Sequence, residues 1–502
     1  MEMEGLRPIR VSKEDSEDGQ PLSPIARMFH QPRSNVYIII IIGFKTPINP
    51  LAFKASLRHS LLKHPRFSSL QVVENDGEMR WVRTEVNLDN HVKVPVLDPN
   101  MEFPDKFVED YASNLSKTTI SMSMPLWDVH LLNVKTSEAE STGIIRIHHS
   151  LGDGISLMSL LLSCTRKASD PEALPTIPSV RRRNPSNYGG LTYWQFLLKL
   201  WCWVLLCWNT TVDALISMGT FFFLEDTKTP LKGALPLGPT PRRFVHRTIS
   251  LDDVKLVKNA MGTTINDVIV AITQAGLSSY LNRKYGKYGD DEKDNQGGER
   301  NNNNLPNNIR FRAALFVNLR PSAGIQDFDD MTRTNSKARW GNHIGYVLFP
   351  LKIALRDDPL DYVRDAKVAG DRKKATLEAN FTYLMAKLAR FFPKYFTNKI
   401  SCLPSRTTIW FSNVPGPAEE ISYFGFPVNF IAVSVYGQPN ALMIHVLSYA
   451  NKMKIILSAD EDIIPDPHRL CDDFQNSLEL MKNAAITSKK ANPQLYKQRS
   501  NM

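Results

Sequence analysis

A chain of 502 residues exceeds what one ordinary hydrophobic core serves, so two domains or one large two-lobed unit is the starting expectation. Its 42% hydrophobic and 22% charged residues are a globular composition that excludes wholesale disorder. Lys and Arg number 61 against 51 Asp and Glu; the formal +10 suits phosphates, lipid headgroups or nucleic acid, but no basic stripe interleaved with aromatics is present and nucleic acid is set aside.

Residues 1 to 20 carry no apolar h-region, only Met1-Glu2-Met3-Glu4-Gly5 and the acidic run Lys13 to Asp18. They read as a flexible polar start and not a signal peptide, so the folded part is expected on the cytosolic side. Cys164, Cys202, Cys207, Cys402 and Cys471 have no paired spacing and fit free thiols in a reducing compartment.

An N-terminal lobe is expected over 21 to 180. Val36 to Ile42 predicts a strand, and Pro50 to Lys63 spaces Leu51, Ala55, Leu57, Leu61 and Leu62 as an amphipathic helix. Gln71 to Val73, Trp81 to Val86 and Val129 to Val134 read as short strands, and Phe107 to Leu115 as a helix. Gly143 to His149 is a further strand, which Gly152 and Gly154 end in a tight turn before the apolar helix Ile155 to Cys164.

Ser169 to Gly190 holds Pro171, Pro175, Pro178, Pro185 and Arg181-Arg182-Arg183, which is linker composition and opens a linker region over 181 to 240. Within it Tyr193 to Leu224 is the most apolar part of the chain. Its longest charge-free stretch, Leu200 to Val212, falls short of the roughly 20 residues of a membrane span. On a helix, Gln195, Lys199, Cys202, Leu206, Asn209 and Asp213 make a narrow, mostly polar stripe, and Trp194, Leu197, Leu198, Trp201, Leu205 and Trp208 a wide apolar face. A helix at the membrane interface, a core or bridging helix and a tilted span all fit, and interfacial attachment fits best.

The C-terminal lobe is expected over 241 to 485, with a tail over 486 to 502. Val245 to Ile249, Ala313 to Val317, Thr407 to Phe411, Phe430 to Val435, Met443 to Ser448 and Met453 to Ala459 predict strands, alternating with helices such as Asp267 to Tyr280. Gly286 to Asn308 is too polar to pack and reads as a disordered surface insertion.

The candidate chemistry lies in His148-His149-Ser150-Leu151-Gly152-Asp153-Gly154. An imidazole where a strand runs out into a turn can face a channel and act as a base on a hydroxyl near neutral pH. The plainer reading of a His-His pair is two buried, hydrogen-bonded residues. A metal site lacks further ligands at suitable spacing, and none is expected. Asp153 stands across the turn from His149, awkward for a direct dyad, and is expected to hold the loop by pairing with an arginine.

This run after a strand resembles the active-site motif of the condensing-type acyltransferases, which include chloramphenicol acetyltransferase, peptide-synthetase condensation domains and wax ester synthases. Pro125-Leu126-Trp127, Thr264-Ile265-Asn266-Asp267-Val268 and Ser412-Asn413-Val414-Pro415-Gly416-Pro417 resemble signature segments of the bifunctional wax ester synthase/diacylglycerol acyltransferase family, in that family's order. The resemblance spans about Pro21 to about Leu480, and Tyr193 to Leu224 resembles what plant members carry between their halves.

The resemblance implies an α/β, two-lobed chloramphenicol-acetyltransferase-like fold with mixed sheets and a central substrate tunnel. It implies His149 as catalytic base, His148 and Gly154 as shapers of its loop, and a salt bridge from Asp153 to an arginine, for which Arg320 is the candidate. Asn266, Asp267, Ser412 and Asn413 are implied to support the channel. Each has a local alternative: Thr264 to Asp267 is a capping box, Ser412 to Pro417 is turn chemistry, and Trp127 is more often packing than binding. Fatty acyl-CoA as co-substrate without a cofactor, a long-chain fatty alcohol giving a wax ester or diacylglycerol giving triacylglycerol, and membrane lipid are the implied partners. The wide Trp and Leu face of Tyr193 to Leu224, with Arg181-Arg182-Arg183 upstream to meet anionic lipid, makes the endoplasmic reticulum membrane, facing the cytosol, the expected location, with the plasma membrane as alternative.

Two other functions compete. Soluble acyltransferases of secondary metabolites carry Asp-Phe-Gly-Trp-Gly near the C-terminus, whereas Tyr423-Phe424-Gly425-Phe426-Pro427 lacks the Asp and the Trp. A non-enzymatic lipid-binding protein predicts decay of the catalytic run, and the run is intact.

Overall fold

The structure is a computed structural model that describes residues 19–31, 34–75, 77–176, 193–232, 240–290, 303–320, 340–388, 391 and 406–491. Nearly all of the flexible start, the triplet Arg181-Arg182-Arg183, Cys402, most of the polar insertion and the end of the tail lie outside the described residues.

The strands of the two main sheets are, in chain order, β1 (Tyr37–Phe44), β2 (Val92–Lys93), β3 (Trp127–Leu132), β4 (Ser141–His148), β5 (Thr165–Lys167), β6 (Arg242–Ser250) and β7 (Arg312–Asn318). They continue with β8 (Ile344–Pro350), β9 (Ile409–Val414), β10 (Ile421–Tyr423), β11 (Phe426–Tyr436), β12 (Leu442–Tyr449) and β13 (Lys452–Asp460). A seven-stranded sheet runs β2-β3-β4-β1-β11-β10-β5, and a six-stranded sheet runs β6-β13-β12-β9-β7-β8. Both are mixed: β2 with β3, β7 with β9, and β9 with β12 are parallel, and the other pairings are antiparallel.

The isoleucine run of β1 is buried along its whole length, because the strand is central in its sheet and covered on both faces. One neighbour is the motif strand β4, in the register Tyr37 to His148. The other is β11, from the second half of the chain, in the register Tyr37 to Tyr436. The sheets therefore do not divide where the linker does: β10 and β11 complete the sheet of the N-terminal half. Physically, β11 covers what would otherwise be a long, apolar, unpaired edge on β1. Contact there is close, since a Cβ on Gly43 would stand 2.2 Å from the Phe430 ring.

Some predicted limits need correction: the helix expected over Pro50 to Lys63 ends at His59, and the strand expected over Trp81 to Val86 is Met79–Arg83. The helix opened by Asp267 runs over Ile265–Asp290, so the first residues of the polar tract, from Gly286, are helical. Glycine weakens a helix interior by about 1 kcal/mol but does not end it, and the denser Asn and Gly clusters come later. The apolar segment is one helix, Tyr193–Phe222, of 30 residues. Leu360–Lys374, Glu378–Leu388 and Pro467–Ala491 are further helices of the second half.

Candidate active site

Strand β4 ends at His148, and His149 to Gly152 turn into the helix Gly154–Ser163, which Asp153 N-caps by accepting from Ser156 N at 2.9 Å. Glycine was expected at 152 and 154 for a tight turn, but neither has positive φ. Their roles are spatial. A Cβ on Gly152 would stand 3.2 Å from the Trp340 ring, and Gly154 lines the cavity, with Val414 nearest to an added Cβ at 3.9 Å.

His148 is fully buried and engaged. Its Nδ1 accepts from the Ser150 backbone N–H at 3.3 Å and lies 2.7 Å from Ser150 Oγ, so Nε2 carries the proton and donates to Asn35 Oδ1 at 3.0 Å. Burial holds it well below the usual imidazole range, and both ring nitrogens are taken up by partners inside the protein. Its part is to hold the end of β4.

His149 is half-buried, stacked on Phe29 with ring centroids 4.1 Å apart, and its backbone N–H donates to Val36 O at 2.9 Å. Its Nδ1 lies 3.2 Å from Asn342 Oδ1, while Asn342 Nδ2 donates to the His149 carbonyl at 3.0 Å. Burial pushes its pKa below 6.5, opposed by a hydrogen bond to its own backbone, by the charge of Asp153 and by the Asn342 side chain, so the neutral ring is favoured at physiological pH. A neutral imidazole is the form that can accept a proton.

The Asp153 carboxylate is wholly buried and does not reach the His149 ring. Oδ2 accepts from Arg320 Nη1 at 2.8 Å and from His343 N at 2.9 Å. Arg320 also donates to Gly341 O at 2.7 Å, Ser156 Oγ at 2.9 Å and Asn318 Oδ1 at 3.1 Å. Gly341 has φ 119, a conformation that favours glycine, and its N–H donates to Ser156 Oγ at 3.2 Å. Trp340 Nε1 donates to Leu151 O at 2.7 Å. Thus Trp340, Gly341, Asn342 and His343 each bond to the loop and helix start between His149 and Ser156.

A cavity of about 140 Å³ opens beside His149, walled by the motif helix and by strands of both sheets, with Phe29, Ile38, Met158, Phe316, Trp410 and Val433 among its apolar lining. Gly154, Asn318, Ser412, Asn413 and His445 add small or polar lining. Asn413 Nδ2 donates to Asn266 Oδ1 at 2.6 Å, so Asn266 stands behind the wall. Asp267 is a cap: its Oδ2 accepts from Thr264 N at 2.9 Å, and its own N–H donates to Thr264 Oγ1 at 3.3 Å. Trp127 is completely buried away from the cavity, donating to Phe67 O at 2.9 Å and stacked on His91.

Sequence reasoning missed Phe29, Asn318, Asn342 and His445. Phe29 is a lone aromatic in the polar run Arg27 to Asn35, and His445 a lone histidine in an apolar strand; neither pattern marks a site. Asn342 had a signal, a Trp-Gly-Asn-His run following a long polar stretch, that could have drawn attention.

An apolar cavity lined by two neutral imidazoles, the half-buried His149 and the buried His445, suits deprotonation of a hydroxyl on a largely apolar substrate. Profiles of two families match: the wax ester synthase/diacylglycerol acyltransferase catalytic domain over residues 49–269, and the WS/DGAT C-terminal domain over residues 340–482. The Arabidopsis thaliana wax ester synthase/diacylglycerol acyltransferase 5 is 46% identical over 94% of this chain and 95% of its own. The wax ester synthase/diacylglycerol acyltransferase of Marinobacter aquaeolei VT8 superposes with TM-score 0.59 at 18% identity, over 93% of this chain and 99% of that one. A starter condensation domain of rhizomide synthetase, in complex with C8-CoA, superposes with TM-score 0.52 at 13% identity, over 93% of this chain and 95% of that one. These last two likenesses show the fold.

Proposed function

The chain belongs to the wax ester synthase/diacylglycerol acyltransferase family, and from that premise we propose that it moves a fatty acyl group from CoA to a long-chain alcohol, with His149 as general base. The observation that carries this reading is the neutral, half-buried His149 on an apolar cavity between two sheets. His149 takes the proton as the acceptor oxygen attacks the thioester carbonyl. The tetrahedral oxyanion collapses, the C–S bond breaks, and the CoA thiolate leaves and takes up the proton. Holding both substrates in one cavity supplies much of the rate. Diacylglycerol is the second acceptor of the same chemistry.

The test is to incubate purified protein with labelled palmitoyl-CoA and a panel of hexadecanol, dioleoylglycerol and a short soluble alcohol, then resolve the lipids. A labelled wax ester as main product is expected. No labelled ester from any acceptor would remove the reading.

We further infer that the enzyme works at a membrane surface, and assign it to the cytosolic face of the endoplasmic reticulum, where fatty acyl-CoA and fatty alcohols partition. The support is the inverted amphipathicity of Tyr193–Phe222. Asp213, Ser217 and Thr220 point inward and are buried, whereas Trp194, Trp201, Trp203 and Trp208 are each at least 60% exposed. The neighbouring helix Glu378–Leu388 continues the apolar surface with Leu384 and Leu388. So broad an exposed apolar face is a membrane or partner surface, and clustered tryptophans favour the lipid headgroup region. The one helix long and apolar enough to span among the described residues is this same helix, and Asp213, ion-paired to the protein, argues for lying on the bilayer.

A further inference from the structure

We propose that Asn342 is a positioning residue that fixes the His149 proton on Nδ1 and so presents Nε2, unprotonated, to the acceptor hydroxyl. This rests on the reading of His149 as general base.

The amide of Asn342 has two ends and both are used. Its Nδ2 donates to the His149 carbonyl at 3.0 Å, which turns Oδ1 toward the ring, 3.2 Å from Nδ1. An amide oxygen only accepts, so Nδ1 must carry the hydrogen, and a neutral imidazole has one N–H. The flipped amide would set Oδ1 against the His149 carbonyl, two acceptors face to face. Nε2 is then the basic nitrogen of a ring that lines the cavity. Asn342 is 6% exposed and has little freedom, because Gly341 is tied to Arg320 and Ser156 and His343 N to Asp153. The Phe29 stack fixes the plane of the ring. Asp153 and Arg320 thereby act on His149 through the segment that carries Asn342, which gives the motif aspartate a route to the base without touching it.

Three titratable groups face His149. Asp153 favours the imidazolium and is itself paired with Arg320; His148 precedes it in the chain; and His445 on β12 lies across the cavity and is held neutral by burial, with His149 adding to that shift. Among the described residues, the cavity lining holds no other titratable side chain.

The experiment measures kcat, KM and the pH profile of wild type, Asn342→Ala and Asn342→Asp, each with its melting temperature, and His149→Ala beside them. Asn342→Ala is expected to lose at least tenfold in kcat with KM within about twofold, and its acid limb should move to lower pH because a hydrogen bond favouring the protonated ring is gone. Asn342→Asp keeps an acceptor for Nδ1–H but adds a charge and sets a carboxylate oxygen against the His149 carbonyl, so its acid limb should move up while its kcat stays below wild type. A purely structural asparagine would not move the two limbs in opposite directions. Unshifted limbs in both variants, or wild-type kcat in Asn342→Ala, would overturn the proposal. In either case an inactive His149→Ala leaves the base reading standing, whereas an active one removes that reading itself.

Discussion

Asp153 satisfies three donors, Ser156 N, Arg320 Nη1 and His343 N, from inside the protein, which makes it a structural centre and not a proton carrier. Asp153→Asn should therefore lower stability, by about 3 to 5 kcal/mol, because Arg320 is left buried and uncompensated. A native melting temperature with turnover alone lost would contradict this. A second residue-scale consequence concerns acid. Burial lowers His445 to about 3, so its folded pKa lies below the unfolded 6.5. The unfolded chain then takes up the proton first, and stability is lost as pH falls from 6.5 toward 3. Between pH 7 and pH 5 this site alone accounts for about 2 kcal/mol. Urea midpoints at the two pH values should differ less in His445→Gln than in wild type; equal differences would show that His445 carries no such linkage. At this scale the motif loop was legible, because a β-branched run, two histidines and the Gly-Asp-Gly turn are local signals, whereas the helix cap made by Asp153 was not read from the sequence. Asn342 was not, since its use depends on a contact 193 residues away in sequence.

At the scale of elements, the helix Tyr193–Phe222 is fastened by its polar stripe. Asp213 meets Lys373 at 3.1 Å and Arg372 at 2.8 Å, Asn209 Nδ2 donates to Ala375 O at 3.1 Å, and Leu377 N donates to Thr210 Oγ1 at 3.0 Å. The apolar face is left outward. Replacing Trp201, Leu205 and Trp208 together with Ser should release the protein into the soluble fraction of a lysate and reduce activity on membrane-dissolved alcohols more than on short soluble ones. High salt alone should not release the wild type, because apolar burial is not screened. Wild-type protein that stays soluble without detergent would contradict the membrane assignment. The stripe from Asn209 to Asp213 was visible in the sequence, but Gln195, Lys199 and Cys202, assigned to the same stripe, are exposed. Spacing fixes a face and cannot tell how far along the helix the protein beneath extends.

Across the whole molecule, the two lobes are one functional unit. The base stands on a loop of the first half, Asn342 and Arg320 come from the second, and β11 of the second half sits against β1 in the first sheet. Strand periodicity marked Phe430 to Val435 without revealing this crossing, because a buried strand reads the same in either sheet. The long-range pairing is what places the cavity between walls from both halves, where two substrates can meet out of water. The central claim is that one imidazole on this cavity carries the proton transfer, and it is tested most directly by purified His149→Ala assayed for ester formation from labelled palmitoyl-CoA and hexadecanol, with its melting temperature measured alongside. The result predicted is a loss of about 100-fold or more in turnover at an almost unchanged melting temperature; a folded His149→Ala protein that retains most of the wild-type activity would contradict it.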